Sequence, residues 1–241
     1  MIEFSCFSSK GERLKNEDFI RTVDKNELKA FILADGLGGQ GMGDMASSSA
    51  VNAVEKYILE NDFSEEMLDE CFKCAQNSVL KSQEEADYKE MRTTLVILII
   101  YNDKAYFGHI GDSRLYVFDG YDYDYRTSDH SIPQMLLNMG EIKEEEIRHH
   151  PDRNKLIKAL GSDYELNDEY YSVDGKEIDI KNKSFLLCSD GFWEWIVEED
   201  MEKFLLKAVN TEHWLNLMAD RIINNGIGRR MDNFSAIAVK C

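Results

Sequence analysis

The chain has 241 residues, 43% of them hydrophobic, and a formal net charge of −18 from 46 acidic against 28 basic side chains. That length can bury a substantial core in one domain, and the negative field repels a phosphodiester backbone over most of the surface, which excludes nucleic acid. The longest apolar run, Leu95 to Tyr101, is far short of the roughly 20 residues of a membrane span, and there is neither a secretion leader nor a linker, so a single cytoplasmic domain, monomeric and free of membrane, is expected.

In chain order, "RLKNEDFI" first sets Glu17 and Asp18 beside Phe19 and Ile20, with Arg13 just upstream. A buried strand is predicted at about Glu27 to Ala34, ending at Asp35 and a glycine cluster, Gly36 to Gly41. Helices follow at Gly43 to Glu60 and Ser64 to Glu90. The second contains "CFKC", but with no second such pair or nearby histidine pair Cys71 and Cys74 read as core packing.

Strands are predicted at Thr94 to Tyr101, Lys104 to Ile110 and Arg114 to Phe118, joined through "YNDK" and "IGDSR" as hairpins or corners, which implies antiparallel sheet. Thr127 to Gly161 reads as short helices with polar joints, a surface flap or a helical insert on a sheet edge. Further strands fall at Tyr170 to Val173, Ser184 to Cys188 and Phe234 to Lys240, and helices at Glu198 to Val209 and Glu212 to Asn224. Trp193 and Trp195 read as core or sheet-covering aromatics. Strands and helices come partly in blocks, which favours an α+β fold.

The acids recur against apolar runs: "ILADG" at Asp35, "HIGDSR" at Asp112, "LLCSDG" at Asp190 and "RRMDNFSAIAV" at Asp232, besides Glu17 and Asp18. Any one alone reads as a turn or cap. If the strand ends converge, however, the carboxylates cannot all ionise without cations. An oxygen-only donor set favours Mg²⁺ or Mn²⁺. "GLGGQG" satisfies the dinucleotide signature literally, but the next predicted strand begins near Thr94, too late for a βαβ unit of about 30 residues.

Taken in order, "RLKNED", "ADGLGGQGMGDMAS", "MRTT", "GHIGDSRLY", "TSDHSIPQMLLNMGEI", "HPDRNKLIKALG", "LLCSDGFWEWI" and "DNFSAIAV" resemble the motifs of the metal-dependent protein phosphatases, the type 2C serine/threonine phosphatases, in their compact bacterial form. The resemblance spans nearly the whole chain. It implies an αββα sandwich of two antiparallel sheets between helical layers, with the metal site at one end and a flap at about 127–161 beside it. By the same resemblance, Asp35 bridges two Mn²⁺ or Mg²⁺ ions, the Gly36 carbonyl binds one, and Asp190 and Asp232 complete the other. Asp112 shares a third, weaker ion with Asp190. Glu17 and Asp18 position metal-bound waters, and Arg13 grips the substrate phosphate. The implied reaction is hydrolysis of protein phosphoserine or phosphothreonine, set by a cognate kinase, through a water bridging the metals and with no covalent intermediate.

This sequence departs from the family pattern at three places. Gln40 stands where many relatives carry a histidine proposed to assist the leaving group, which leaves a metal-bound water, His130 or His150 as the acid. Arg92 replaces the usual glycine, through a local backbone change or as an extra cation on the phosphate side, the first being the favoured reading. Phe234 and Ser235 replace the commoner aliphatic and threonine. Two other readings accompany the resemblance: a silent phosphoprotein-binding domain of the same fold, and a phosphatase of small esters.

Overall fold

The structure is a computed structural model and describes residues 2–38, 42–164 and 170–241. Among these the chain forms strands β1 (Glu3–Ser9), β2 (Asp18–Lys25) and β3 (Leu28–Leu37), helices α1 (Gly43–Glu60) and α2 (Met67–Ala86), and then β4 (Arg92–Thr93), β5 (Leu95–Tyr101), β6 (Lys104–Ile110), β7 (Arg114–Asp119) and β8 (Asp122–Arg126). After the short helices α3 (Ile132–Asn138) and α4 (Glu144–Ile147) come β9 (Ser172–Asp179), β10 (Lys183–Cys188), α5 (Asp190–Trp193), α6 (Glu198–Lys207), α7 (Thr211–Gly226) and β11 (Phe234–Lys240). One antiparallel sheet has the order β1-β11-β10-β7-β8 and the other β2-β3-β5-β6-β9, with β4 paired to the end of β3.

Period-two alternation explains why the central strands are apolar on both faces. In β5, Leu95, Ile97 and Ile99 join a core with α1 and α2, while Val96, Leu98 and Ile100 face the other sheet. In β3, Ala30, Ile32 and Ala34 turn to the helices and Phe31 and Leu33 turn inward. The second sheet repeats the pattern: Leu186 and Cys188 meet the α6–α7 side, whereas Phe185 and Leu187 join the inter-sheet core. Three apolar layers therefore separate four structural layers, and the expected αββα sandwich is observed. Each fully buried Leu, Ile or Phe contributes about 1.5–3 kcal/mol. No helix among the described residues is long and apolar enough to cross a membrane.

Asn102 and Asp103, at φ 49° and 60°, form the tight hairpin between β5 and β6. "IGDSR" is instead a corner that carries the chain from one sheet to the other. Gly111 turns it at φ +97°, where an added Cβ would stand 2.6 Å from the Thr94 methyl. The β3 strand does not end at Ala34: pairing of Gly36 with Thr93 and Leu37 with Arg92 carries it through Asp35. Helix α2 is shorter than its apolar spacing predicts, because Asp87 adopts a left-handed conformation and its N–H closes on the Gln83 and Glu84 carbonyls.

The segment 127–161 is closed on itself by the bridge Ser131 to Leu156 and tied back to the sandwich by the bridge Thr93 to Leu160. A buried ion pair fastens its start: Arg114 Nε and Nη2 donate to the two Asp129 oxygens at 2.8 and 2.7 Å, and the guanidinium lies 3.6 Å over the Trp193 ring. Removing one partner strands a charge that water cannot reach. Asp129→Ala is expected to destabilise the fold by about 3–5 kcal/mol in urea unfolding, while Arg114→Met with Asp129→Leu recovers most of that loss; a single mutant as stable as wild type would contradict this account.

Candidate metal and phosphate site

Because neighbouring strands run antiparallel, the start of β2 and the end of β3 lie at one end of the sandwich, with Asp18 directly opposite Asp35. Asp35 is in phase with Phe31 and Leu33, so it continues the inter-sheet face where the apolar layer stops. Asp112 follows β6, Asp190 follows β10 and opens α5, and Asp232 precedes β11. Arg13, Glu17, Asp35, Gly36, Asp112, Asp190 and Asp232 line one cavity of 220 Å³. Asn154 and Leu156 of the 127–161 segment close its side. Asp18 lies beneath, where one carboxylate oxygen accepts from Ser189 Oγ at 2.8 Å and the other is buried with no partner among the described residues.

Burial is the first cause that pushes these carboxyls toward their neutral form, and their mutual charge is the second. The Asp35 pKa is raised well above the ordinary carboxylate range, by burial and then by Asp18, Asp190, Asp112 and Asp232. Asp112 is raised likewise, by burial and Asp190, and Asp18 is raised to about 7, mainly by burial. Asp190 is raised by burial and Asp232, and a hydrogen bond from Asp35 eases its charge. Among the described residues no three His, Cys, Asp or Glu side chains stand as a finished metal cage. The donor chemistry nevertheless fits a hard divalent cation: every candidate ligand is an oxygen, the carboxyls cannot ionise together unaided, and a buried Asp18 oxygen lacks a partner.

A layer of polar groups that sequence reasoning missed holds these acids. The Asp35 N–H donates to Thr94 Oγ1 at 2.9 Å, the Asp35 carbonyl accepts from the Thr94 N–H and from Thr93 Oγ1, and Thr94 Oγ1 meets Ser113 Oγ at 2.7 Å. Asn233 organises the loop that carries Arg13: its Nδ2 donates to the Lys10 and Lys15 carbonyls at 2.9 Å, and its Oδ1 accepts the Glu17 N–H at 2.8 Å. These residues sat inside "MRTT", "GDSR" and "DNFS", where a hydroxyl or amide is indistinguishable from a turn residue until its partner strand is known.

The Glu17 pKa is raised, chiefly by burial, although the Gly43 N–H at the start of α1 hydrogen-bonds its carboxylate. Gly36 and Gly43 approach so closely that a Cβ on Gly36 would stand 2.1 Å from the Gly43 carbonyl, which is the physical need for those two glycines. Arg13 pairs with Asp232. Burial opposes the guanidinium charge, but the Asp232 hydrogen bond and the charges of Asp232, Asp190 and Glu17 outweigh it and raise the pKa.

Neither candidate histidine lines the cavity. His130 Nδ1 accepts the Gly111 N–H and its Nε2 meets Ser172 Oγ at 2.9 Å; burial, with His109 stacked at 4.5 Å, lowers its pKa to about 3. His150 Nδ1 accepts the Asp152 N–H. Gln40 lies outside the described residues. Arg92 lies in regular strand, with no left-handed backbone.

Two measurements check this site. Asn233→Ala leaves three backbone groups of the Arg13 loop unpaired, and is expected to cost about 1–3 kcal/mol of stability; an unchanged urea midpoint would count against the loop assignment. The second concerns pH. A carboxyl whose folded pKa lies above its unfolded value stabilises the fold below about pH 4 and loses that contribution as pH rises through the folded pKa, about 7 for Asp18. In EDTA, stability should therefore fall between about pH 5 and 7, by roughly 1 kcal/mol per pH unit for each such group. Excess Mn²⁺ should remove the fall, and a chelated protein that gains stability over that interval would refute the coupling.

Residues 8–221 match the family described as Protein phosphatase 2C. The chain is 32% identical over 226 residues to the serine/threonine phosphatase stp of Listeria monocytogenes, covering 90% of this chain and 86% of that protein. It is 28% identical over 245 residues to the protein phosphatase PhpP of Streptococcus pneumoniae, covering 99% and 97%. Among solved structures, the serine/threonine phosphatase PstP/Ppp of Mycobacterium tuberculosis superposes with a TM-score of 0.83 at 25% identity, covering 99% of this chain and 98% of that one. On the match over residues 8–221 and the similarity to the Listeria enzyme, the chain belongs to the protein phosphatase 2C family.

Proposed function

We propose that this chain is a metal-dependent phosphatase that hydrolyses phosphoserine and phosphothreonine in proteins by direct attack of water, with residues 1–241 acting as one catalytic domain. The observation that carries the reading is the convergence of Asp35, Asp112, Asp190 and Asp232 with Arg13 on one cavity. Asp35 and the Gly36 carbonyl, with Asp190 and Asp232, would hold two divalent ions, and Asp112 with Asp190 a third. When bound, Mn²⁺ or Mg²⁺ lets these carboxylates ionise together, lowers the pKa of water and neutralises phosphoryl oxygens.

The chain's own groups do the rest. Arg13 offers parallel N–H donors to phosphoryl oxygens, and Asp232 holds the guanidinium facing the cavity until phosphate arrives. Glu17, whose carboxylate is held by the Gly43 N–H at the start of α1, and Asp18, seated on Ser189, would order water around such ions. The Thr93, Thr94 and Ser113 hydroxyls fix Asp35 so that the attack geometry is preset. With His130 and His150 outside the cavity lining, the departing serine or threonine oxygen takes its proton from water at the site. Substrates are phosphoproteins made by a serine/threonine kinase, the enzyme acts as a monomer in the cytoplasm, and the ester group lies on the open side of the cavity.

The test uses p-nitrophenyl phosphate and a phosphothreonine peptide, with Mn²⁺ and with EDTA. Turnover should vanish in EDTA and fall by about 10³-fold or more in Asp35→Asn and Asp190→Asn; Arg13→Ala should raise KM for both substrates by roughly tenfold. Binding of the peptide without turnover at any metal concentration would favour a silent phosphoprotein-binding domain instead, and turnover of the small ester alone would favour a phosphatase of small esters.

A further inference from the structure

Beside the carboxylate cavity lies a second cleft of 400 Å³. The two share Leu37, Gly38, Asn154 and Leu156, so a peptide seated in the first continues into the second. Its wall carries two cations, Arg92 and Lys158, against one acid, Glu90, in a chain whose net charge is −18. On its other side Arg92 borders a cleft with four acids, Glu84, Asp87, Glu90 and Asp163, against one further cation, Lys89. The guanidinium thus divides a wall that repels anions from one that attracts them.

Arg92 is exposed, and among the described residues its side chain makes no hydrogen bond, ion pair or ring contact. Arg114, Arg126, Arg148, Arg153 and Arg221 are each ion-paired with a carboxylate. An Arg without a partner in so acidic a protein is a donor fork held ready for an outside acceptor. Its backbone is fixed: Arg92 pairs with Leu37, and its neighbour Thr93 is bonded to the Asp35 carbonyl. The Arg92 backbone is thereby anchored to the strand that carries the candidate bridging carboxylate.

We propose that Arg92, with Lys158, forms a subsite for an anionic side chain, a carboxylate or a second phosphoryl group, that flanks the phosphorylated residue of a peptide substrate. The subsite rests on the phosphatase reading and gives that site its sequence preference. It offers two parallel donors to two acceptor oxygens and takes no part in the chemical step.

The test compares phosphothreonine peptides that are identical except at flanking positions, which hold alanine, glutamate, phosphoserine or lysine in turn, in Mn²⁺ at low and at physiological salt. Wild type should prefer an anionic flank over alanine by about three- to fivefold in kcat/KM, carried by KM and weakened by salt. Comparison of the glutamate and phosphoserine arms tells which anion is read. Arg92→Gly should abolish the preference, Arg92→Lys should keep part of it, and Arg92→Glu should invert it toward the lysine flank, an inversion that no general loss of folding produces. The same peptides carrying a non-hydrolysable phosphonate, read by fluorescence anisotropy, give the ratio of affinities whether or not turnover occurs. A wild type indifferent to the flank, or variants that weaken all peptides equally, would overturn the subsite and leave the phosphatase reading standing; binding preference without any turnover would overturn the phosphatase reading and leave the subsite standing.

Discussion

Repulsion between carboxylates held out of water at one end of a β-sandwich is the constraint on which the rest of this structure depends. Two unit charges about 4 Å apart repel by about 4 kcal/mol at the effective dielectric of a protein surface. Asp18, Asp35, Asp112 and Asp190 meet that cost together, and each is displaced toward its neutral form. The fold tolerates them because each carboxyl stands at a strand end and the apolar layers are complete behind it. Inter-sheet packing of Phe31, Leu33, Phe185, Leu187 and Ile237 carries the stability that the acids oppose.

A second system ties this end of the sandwich to the segment 127–161. Arg114, paired with Asp129 and stacked on Trp193, is two residues from Asp112, and Trp193 Nε1 donates to the Asp112 carbonyl at 2.9 Å. His109 meets Asp174 through Nδ1 and the Ser128 carbonyl through Nε2. The stacked His130 is kept neutral by its surroundings and accepts the Gly111 N–H. Named bonds therefore connect both networks to Asp112 and to its neighbour Gly111.

The acids and the central strands were legible in the sequence because each signal is local: a carboxylate against an apolar run, or period-two burial in β5 and β10. Besides the two-residue β4, three strands were not. In β1, "EFSCFSS", serines alternate with aromatics, and the strand exists because it pairs with β11 more than 200 residues away. In β8, "DYDYR", an edge strand beside β7 needs little apolar surface. In β2 the acids at "NEDF" drew the reading to a loop, although Asp18 is the strand's first residue. Asp35 shows the same limit on a smaller scale. Its identity as a site acid was readable, but its place inside β3 depends on β4, a two-residue strand that no periodicity can announce. Thr94 and Asn233 escaped for the same reason, since their partners lie tens to hundreds of residues away.

The charge of the chain sharpens what the site must do. A phosphoryl dianion approaching four acids, on a surface of net charge −18, is repelled at every distance where screening is incomplete. Arg13 cannot reverse that alone, because Asp232 and Asp190 already share its charge. In the proposed reading, attraction comes from cations that the carboxylates themselves would hold. The acids that make the metal-free site repel phosphate are then the same acids that make the metal-loaded site bind it, and phosphate affinity becomes a property of metal occupancy. The cations at the rim, Arg92 and Lys158, act on what remains: they leave the phosphoryl group to the metal-dependent centre and bear on the chain attached to it.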